Sequence, residues 1–247
     1  MSKTIKEKKS LNGVELYRAI VAGIQKVVAD QDHLNKINVF PVPDGDTGTN
    51  MAFTMTTIVD KTASNVNSRI DNMLEAVADA ALDGARGNSG AILAQFFQGF
   101  SDGSIGLSDI NISDFASAIK KGSEYAREAL LEPKEGTILT VIHDFSISLD
   151  ELIKNHQDSN FSFILENGII AAEKSLENTP NLMAVLKNAG VVDAGAQGFV
   201  DFLIGMHEYI NDEKNIEINF DENKIISEYS EKISEVNNSF EYKYCTE

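Results

Sequence analysis

Apolar residues recur at intervals of three and four along most of this 247-residue chain, the spacing that gathers them on one face of an α-helix. The first such stretch contains Leu16, Ile20, Ile24 and Val27, and its pattern ends near Asp30. The same periodicity predicts later helices over residues 51–62, 70–84, 91–100, 113–130, 135–156, 161–176, 182–187 and 199–210. The sequence therefore predicts an all-α fold, built as an up-and-down assembly of helices.

The composition agrees with a helical protein that binds cations. Hydrophobic residues make up 43% of the sequence, enough for one sizeable core, and there are only four prolines and no Trp. The formal net charge of −17 argues against nucleic acid as a partner, because its phosphates would be repelled. The same charge suits divalent cations, so we expect an anionic nucleotide to bind together with a metal ion.

Several features indicate a cytoplasmic protein. Cys245 is the only cysteine, which excludes an internal disulfide framework and fits a reducing compartment. No apolar segment follows the basic N-terminus, so no signal peptide is expected. No uninterrupted apolar run approaches the ~20 residues that span a membrane, so no transmembrane segment is expected either.

Residues 38–51 form the most unusual segment, with the sequence N-V-F-P-V-P-D-G-D-T-G-T-N-M. Asp44 and Asp46 flank Gly45, and a turning backbone can point both carboxylates the same way. Two like charges held together repel each other unless a cation lies between them. Residues 47–50 add hydroxyls, backbone N–H groups and an N-cap for the next helix, which suits a metal-bound phosphate. The alternative is an Asx-type turn before a capped helix.

Two further glycine-rich segments, residues 84–90 and 189–198, also precede predicted helices. Glycines let a backbone approach a ligand closely, and Asn88 and Ser89 are able to cap a helix or donate to a phosphate oxygen. A tight turn between helices is the alternative for the first segment. Neither segment is a Walker A loop, because no G-K-[ST] ending occurs. Since alternate loops of an up-and-down assembly lie at the same end, the three segments together suggest a metal–nucleotide site.

Four motifs together resemble the kinase domain of bacterial fatty acid kinases (FakA-type), which is itself similar to the L subunit of dihydroxyacetone kinases (DhaL-like). The motifs are P-V-P-D-G-D-T-G-T-N-M, G-A-R-G-N-S-G, E-G-T-I-L-T-V and V-V-D-A-G-A-Q-G, and the resemblance covers residues 11–210. It implies an eight-helix antiparallel barrel that binds ATP or ADP across the loops at one end. It also implies a kinase domain over residues 1–210, followed by a C-terminal extension over residues 211–247 that leads to an absent middle domain.

The resemblance implies roles for particular residues. Asp44 and Asp46 match the residues that bind two Mg²⁺ ions in the family, and Asn38 is nearest to a further Asp of the dihydroxyacetone kinases. Lys187 stands where that branch has an Arg, so Arg86 is the candidate for the transition-state cation; alternatively, Arg86 bonds helix carbonyls. The implied nucleotide contacts are Thr47, Gly48, Thr49, Asn50, Gly87, Asn88, Ser89, Gly90, Thr137, Leu139, Asp193 and Gly195.

The implied activity is phosphoryl transfer from ATP to a fatty acid held by a separate DegV-like binding protein, giving an acyl phosphate. A carboxylate acceptor is already ionised at neutral pH and needs no general base, which agrees with the scattered histidines. A dihydroxyacetone kinase L subunit and a non-catalytic nucleotide- or lipid-binding module are the alternatives. The full-length protein is a possible homodimer. Residues 240–247 resemble the first strand of a middle domain, so we expect a fragment with an intact nucleotide site and little activity of its own.

Overall fold

The computed structural model describes residues 7–156 and 158–211, and this part of the chain is almost entirely helical. Its helices are α1 (Gly13–Ala29), α2 (Gln31–Ile37), α3 (Thr47–Thr62), α4 (Ile70–Asp83), α5 (Gly87–Asp102), α6 (Ile112–Glu128), α7 (Ile138–Asn155), α8 (Phe161–Leu182), α9 (Ala184–Ala189) and α10 (Ala194–Asn211). A short 3₁₀ turn, Ala63–Asn65, follows α3. Two three-residue strands, β1 (Ser10–Asn12) and β2 (Asp109–Asn111), pair antiparallel with Leu11 opposite Ile110.

The eight long helices form a closed ring. Each of α1, α3, α4, α5, α6, α7, α8 and α10 packs against the next in that order, and α10 packs against α1. The two short helices, α2 and α9, lie in the connections that lead into α3 and α10. The structure therefore confirms the predicted all-α, eight-helix barrel.

Phenylalanine rings fill the space inside the barrel. The Phe96 ring of α5 meets the Phe199 ring of α10 edge-on, with centroids 5.5 Å apart. Phe115 of α6 continues the cluster, because its ring lies 5.7 Å from Phe100 and 5.5 Å from Phe161 in the same arrangement. Edge-to-face pairs stabilise a core by about 0.5–1.5 kcal/mol each beyond the burial of their surface. Helices on opposite sides of the ring are thus fixed to one another.

The β1–β2 pair marks one end of the barrel, where α1, α4, α6 and α8 begin. Asn12 and Asn160 cap α1 and α8 there. Helix α6, predicted to begin at residue 113, begins at Ile112 and is capped by Asn111, whose Oδ1 accepts from the Ser113 and Asp114 amides at 2.8 and 3.0 Å. Because successive long helices are antiparallel, α3, α5, α7 and α10 begin at the opposite end.

Several helix bounds differ from the sequence prediction. Helix α8 continues through Pro180, beyond the predicted end at residue 176. The Thr179 Oγ1 donates at 2.8 Å to the Leu176 carbonyl that a residue 180 amide would otherwise bond. The glycine-rich segments are also shorter than predicted, since α3, α5 and α10 begin at Thr47, Gly87 and Ala194. Predicted loop residues therefore form the first turns of these helices.

Some predictions fall on residues that the structure does not describe. The extension over residues 212–247, including the strand predicted at residues 240–247, lies outside the described part of the chain. Within the described residues, no helix is long and apolar enough to cross a membrane.

Candidate functional site

A cavity of ≈ 250 Å³ opens at the end of the barrel where α3, α5, α7 and α10 begin. Six residues singled out from the sequence line it, namely Thr47, Asn88, Ser89, Thr137, Asp193 and Gly195. They come from the starts of all four helices. A helix N-terminus carries unpaired N–H groups and about half a positive charge, so four of them at one cavity favour a bound anion.

The carboxylate segment, residues 40–46, lies beside this cavity, but neither Asp44 nor Asp46 lines it. It begins with a cis peptide bond between Phe40 and Pro41, both of which line the cavity, and it turns at Gly45, where φ is 69°. Burial raises the pKa of Asp46, a hydrogen bond from Asn50 opposes the rise, and the nearby charge of Asp44 adds to it. Two carboxyl groups therefore sit close enough to interact, as the D-G-D spacing suggested.

Asn38 adds an amide group beside Asp44. Its Nδ2 donates to the Asp44 Oδ1 at 2.8 Å. Its own Oδ1 is buried and has no hydrogen-bond partner within the described residues. No group of three His, Cys, Asp or Glu side chains comes together in residues 7–156 and 158–211, so any metal would rest on two carboxylates and an amide oxygen. This donor set fits Mg²⁺, which usually keeps several waters and takes its other ligands from phosphate oxygens.

Side chains in the first turn of α3 face either the cavity or α2. Thr47 faces the cavity, whereas Thr49 faces α2 and hydrogen-bonds the Asn35 side chain through both its amide (3.1 Å) and its Oγ1 (3.0 Å). A Cβ on Gly48 would lie 2.2 Å from the Gln31 carbonyl oxygen, so only glycine fits there. Two predicted nucleotide contacts, Gly48 and Thr49, therefore hold α2 in this structure.

Asn50 connects this turn to the segment before α5. It hydrogen-bonds Asp46, and its Nδ2 would lie 2.6 Å from a Cβ on Gly87, where φ is 59°. Gly90 packs against Thr54, whose Oγ1 would lie 2.4 Å from a Cβ there. Capping of α5 was one of the two roles that the sequence left open for Asn88 and Ser89, but the residue at the cap position is Arg86, which makes no side-chain cap bond. The two polar side chains instead lie in the first turn and line the cavity.

Asp193 joins the starts of α7 and α10. Its Oδ1 accepts from the Ile138 amide at 3.0 Å and from the Ala196 amide at 2.9 Å. Burial raises the pKa of Asp193 to about 6, against the effect of these backbone donors. A Cβ on Gly195 would lie 3.2 Å from the Ser89 Oγ, so α10 and α5 meet closely beside it.

The other predicted residues of α7 take different positions. The Thr137 Oγ1 donates to the Lys134 carbonyl at 2.8 Å and accepts from the Leu139 amide at 3.4 Å, so Thr137 caps the helix while lining the cavity. The Leu139 side chain is buried and does not line the cavity.

Two cations lie near the site. The Arg86 guanidinium stacks over the Phe53 ring, 3.2 Å from its centroid, and Arg86 does not line the cavity. Lys134 does line it, and its Nζ lies 3.3 Å from Glu132, a second lining residue. Sequence reasoning missed both members of this pair. Exposed charged residues follow no hydrophobic periodicity, so the sequence pattern did not mark Glu132 and Lys134. The one available signal was their position just before the E-G-T-I-L motif.

The fold and the site define an α-helical barrel with a cavity at one end, where four helices begin and near which two carboxylates are paired. Residues 41–208 match the DAK2 domain, and the chain therefore belongs to the DAK2 domain family.

Relatives and solved structures extend this assignment. Proteins described as uncharacterised from Staphylococcus aureus strains USA300 and NCTC 8325 are each 40% identical over 204 residues, which is 83% of this chain and 37% of the relative. The chain thus spans little more than a third of these relatives. The fold is similar to the dihydroxyacetone kinase of C. freundii in its native form (TM-score 0.58, 18% identity). The complex of that kinase with AMP-PNP and Mg²⁺ gives a TM-score of 0.59 at 17% identity. Each comparison covers 84% of this chain and 36% of the kinase.

Proposed function

We propose that this chain is the nucleotide-binding domain of a kinase that uses ATP and Mg²⁺. One observation carries the proposal: a cavity at four helix N-termini is lined by Pro41 and Thr47, the residues that flank the segment holding Asp44 and Asp46. The Asn38 Oδ1, which has no partner within the described residues, belongs to the side chain that bonds Asp44. Anions prefer the helix N-termini and Mg²⁺ prefers the carboxylate and amide oxygens, so a metal-bound polyphosphate satisfies both. The similar kinase from C. freundii was crystallised with AMP-PNP and Mg²⁺, which supports the same ligand pair here.

In this proposal Asp44, Asp46 and Asn38 hold Mg²⁺, and Thr47, Asn88 and Ser89 contact the phosphates. The metal supplies neutralisation of the charge on the transferring phosphoryl group. The helix starts fix the nucleotide at one end of a rigid barrel, because positioning and charge stabilisation are most of this catalysis. Arg86 and Lys134 are the nearby side chains able to supply a further positive charge.

We further propose that the acceptor is the carboxylate of a fatty acid presented by a separate DegV-like binding protein, with an acyl phosphate as the product. The four sequence motifs support this acceptor. Among the described residues no histidine lines the cavity, and a carboxylate acceptor would need no general base. The second candidate acceptor is dihydroxyacetone, which the fold similarity to dihydroxyacetone kinase favours.

The first experiment tests nucleotide binding. We expect Asp44→Ala and Asp46→Ala to abolish Mg²⁺-dependent ADP binding measured by isothermal titration calorimetry, since each removes a metal ligand. Asp158→Ala is the matched control, because this exposed carboxylate pairs only with Lys9 (3.1 Å) among the contacts described, near the start of α8 at the other end of the barrel. Normal Mg²⁺–ADP binding by either site variant would contradict the proposal.

The second experiment distinguishes the acceptors. The full-length protein is incubated with ATP and either a fatty-acid-loaded DegV-like protein or a dihydroxyacetone-loaded partner subunit, and phosphorylated product is measured. Acyl phosphate alone supports the fatty acid acceptor. Dihydroxyacetone phosphate alone would replace it with the second candidate.

A further inference from the structure

The start of α3 departs from the usual way of capping a helix. Asp46 occupies the N-cap position, and an Asp there ordinarily accepts from the backbone amide two or three residues later. The Asp46 side chain makes no such bond. Its backbone, at φ −115° and ψ −4°, also lacks the extended conformation that an N-cap residue usually has.

A residue of α2, rather than Asp46, accepts the hydrogen bond from the amide at the start of α3. The amide of Thr49, third in the helix, donates to the Asn35 Oδ1 at 3.1 Å, and the Asn35 Nδ2 donates to the Thr49 Oγ1 at 3.0 Å. The close approach that this needs is provided by Gly48, whose Cβ would lie 2.9 Å from the Asn35 Oδ1. Asn35 thus does for α3 what its own N-cap residue would otherwise do.

We propose that Asn35 is a positioning residue, which caps α3 from α2 and thereby leaves the Asp46 carboxylate available to a metal ion next to Asp44. The inference rests on the proposed function. Without Asn35, the Thr49 amide would lack its acceptor, and the adjacent Asp46 side chain is the one best placed to replace it. A capping bond to Thr49 would turn the carboxylate away from Asp44 and reduce metal affinity.

This role predicts an unusual combination of effects for Asn35→Ala. Mg²⁺ affinity in the presence of ADP should fall about 10–100-fold, the range seen when groups that orient metal ligands are removed. The thermal midpoint should change little, because Asp46 takes over the cap. Asn35→Asp should restore most of the affinity, since a carboxylate accepts from the Thr49 amide and hydroxyl alike.

Asn160→Ala provides the matched control. Asn160 also accepts the amide of the third residue of a helix, because its Oδ1 lies 2.9 Å from the Phe163 amide, but it does so at the other end of the barrel. This variant should lower the thermal midpoint and leave Mg²⁺ affinity at the wild-type value. Wild-type affinity in Asn35→Ala would overturn the inference. So would an equal loss of stability in the two variants with no restoration by Asn35→Asp.

A crystal structure of Asn35→Ala without nucleotide tests the inference independently of the proposed function. We expect the Asp46 carboxylate to accept from the Thr49 amide. An unmoved Asp46 would overturn the positioning role, even if the wild-type protein binds Mg²⁺ and ADP as proposed. Failure of the wild-type protein to bind them would instead refute the function, and the position of Asp46 would still decide the inference.

Discussion

Asp201→Asn should stabilise the protein above pH 6. Asp201 lies in α10 with 7% of its surface exposed, and its Oδ2 has no hydrogen-bond partner within the described residues. Burial raises its pKa to about 6; the hydrogen bond that Gln197 donates at 3.0 Å opposes the rise, and the neighbouring Asp30 adds to it. An ionised Asp201 is therefore a cost to the folded state, which a neutral amide of the same shape removes.

The sign of the pH dependence follows from proton binding. The folded state holds the Asp201 proton up to a higher pH than the unfolded state, where the carboxyl has the ordinary Asp pKa of 3.8. Stability therefore falls as pH rises from about 4 to about 6, and the loss is complete above that range. A shift of about 2 units corresponds to about 3 kcal/mol, an upper value for the gain from Asp201→Asn at pH 7.5. At pH 5 roughly half of that gain remains.

Urea unfolding followed by circular dichroism between pH 5 and pH 8 measures the effect, with the difference between variant and wild type taken at each pH. Taking this difference removes the contributions of other carboxyls with raised pKa values, such as Asp193. Gln197→Ala is the companion variant, because it removes the donor that opposes the shift and should destabilise the protein most above pH 6. A gain from Asp201→Asn that is independent of pH would refute the reasoning.

Two further predictions concern the cavity. Ser89→Ala and Asn88→Ala should each weaken nucleotide affinity by about 1 kcal/mol in calorimetry, the worth of one hydrogen bond. Thermal stability should not fall, because neither residue is the cap of α5. A lower melting temperature at unchanged affinity would assign the two side chains to helix packing. Lys134→Ala should weaken nucleotide affinity in calorimetry, because Lys134 lines the cavity. Arg86→Ala should change affinity little, because its guanidinium lies over Phe53 outside the cavity lining, but it should lower turnover at least about tenfold if Arg86 supplies the transition-state charge. The reverse pattern in the two assays would exchange their roles.

The barrel could be predicted because its signal is repeated along the chain. Each long helix carries an apolar face of several turns, and short connections imply antiparallel neighbours. Helix α2 gave no such signal, because its seven residues bury only Leu34 and Ile37. The run through Pro180 was also missed, since it depends on the bond from Thr179 to one carbonyl. Single contacts of this kind leave no periodic trace in a sequence.

The site was predictable in composition and less so in detail. The topology argument placed the glycine-rich segments at one end, and five residues of those segments line one cavity there, namely Thr47, Asn88, Ser89, Asp193 and Gly195. Thr137, which also lines the cavity, was indicated only by the family resemblance. The P-V-P-D-G-D-T-G-T-N-M motif could not reveal which way each of its polar side chains faces. Thr49 has the same hydroxyl as Thr47, but a neighbouring helix that the sequence did not predict holds it, while Thr47 faces the cavity. The partners of a side chain, rather than its type, decide what it binds.

Two aspartates at the same end show this most clearly. Asp193 and Asp46 both precede the first residue of a long helix. Asp193 accepts from the amide of the third residue of its helix, Ala196, and also from Ile138, so its Oδ1 is committed to the ends of two helices. Asp46 accepts from no such amide, because Asn35 takes the one on Thr49. The first carboxyl stabilises the barrel, whereas the second accepts from the Asn50 side chain and not from a capping amide. In the proposed function the Asp46 carboxylate can bind a metal ion at a helix start because Asn35 does the capping.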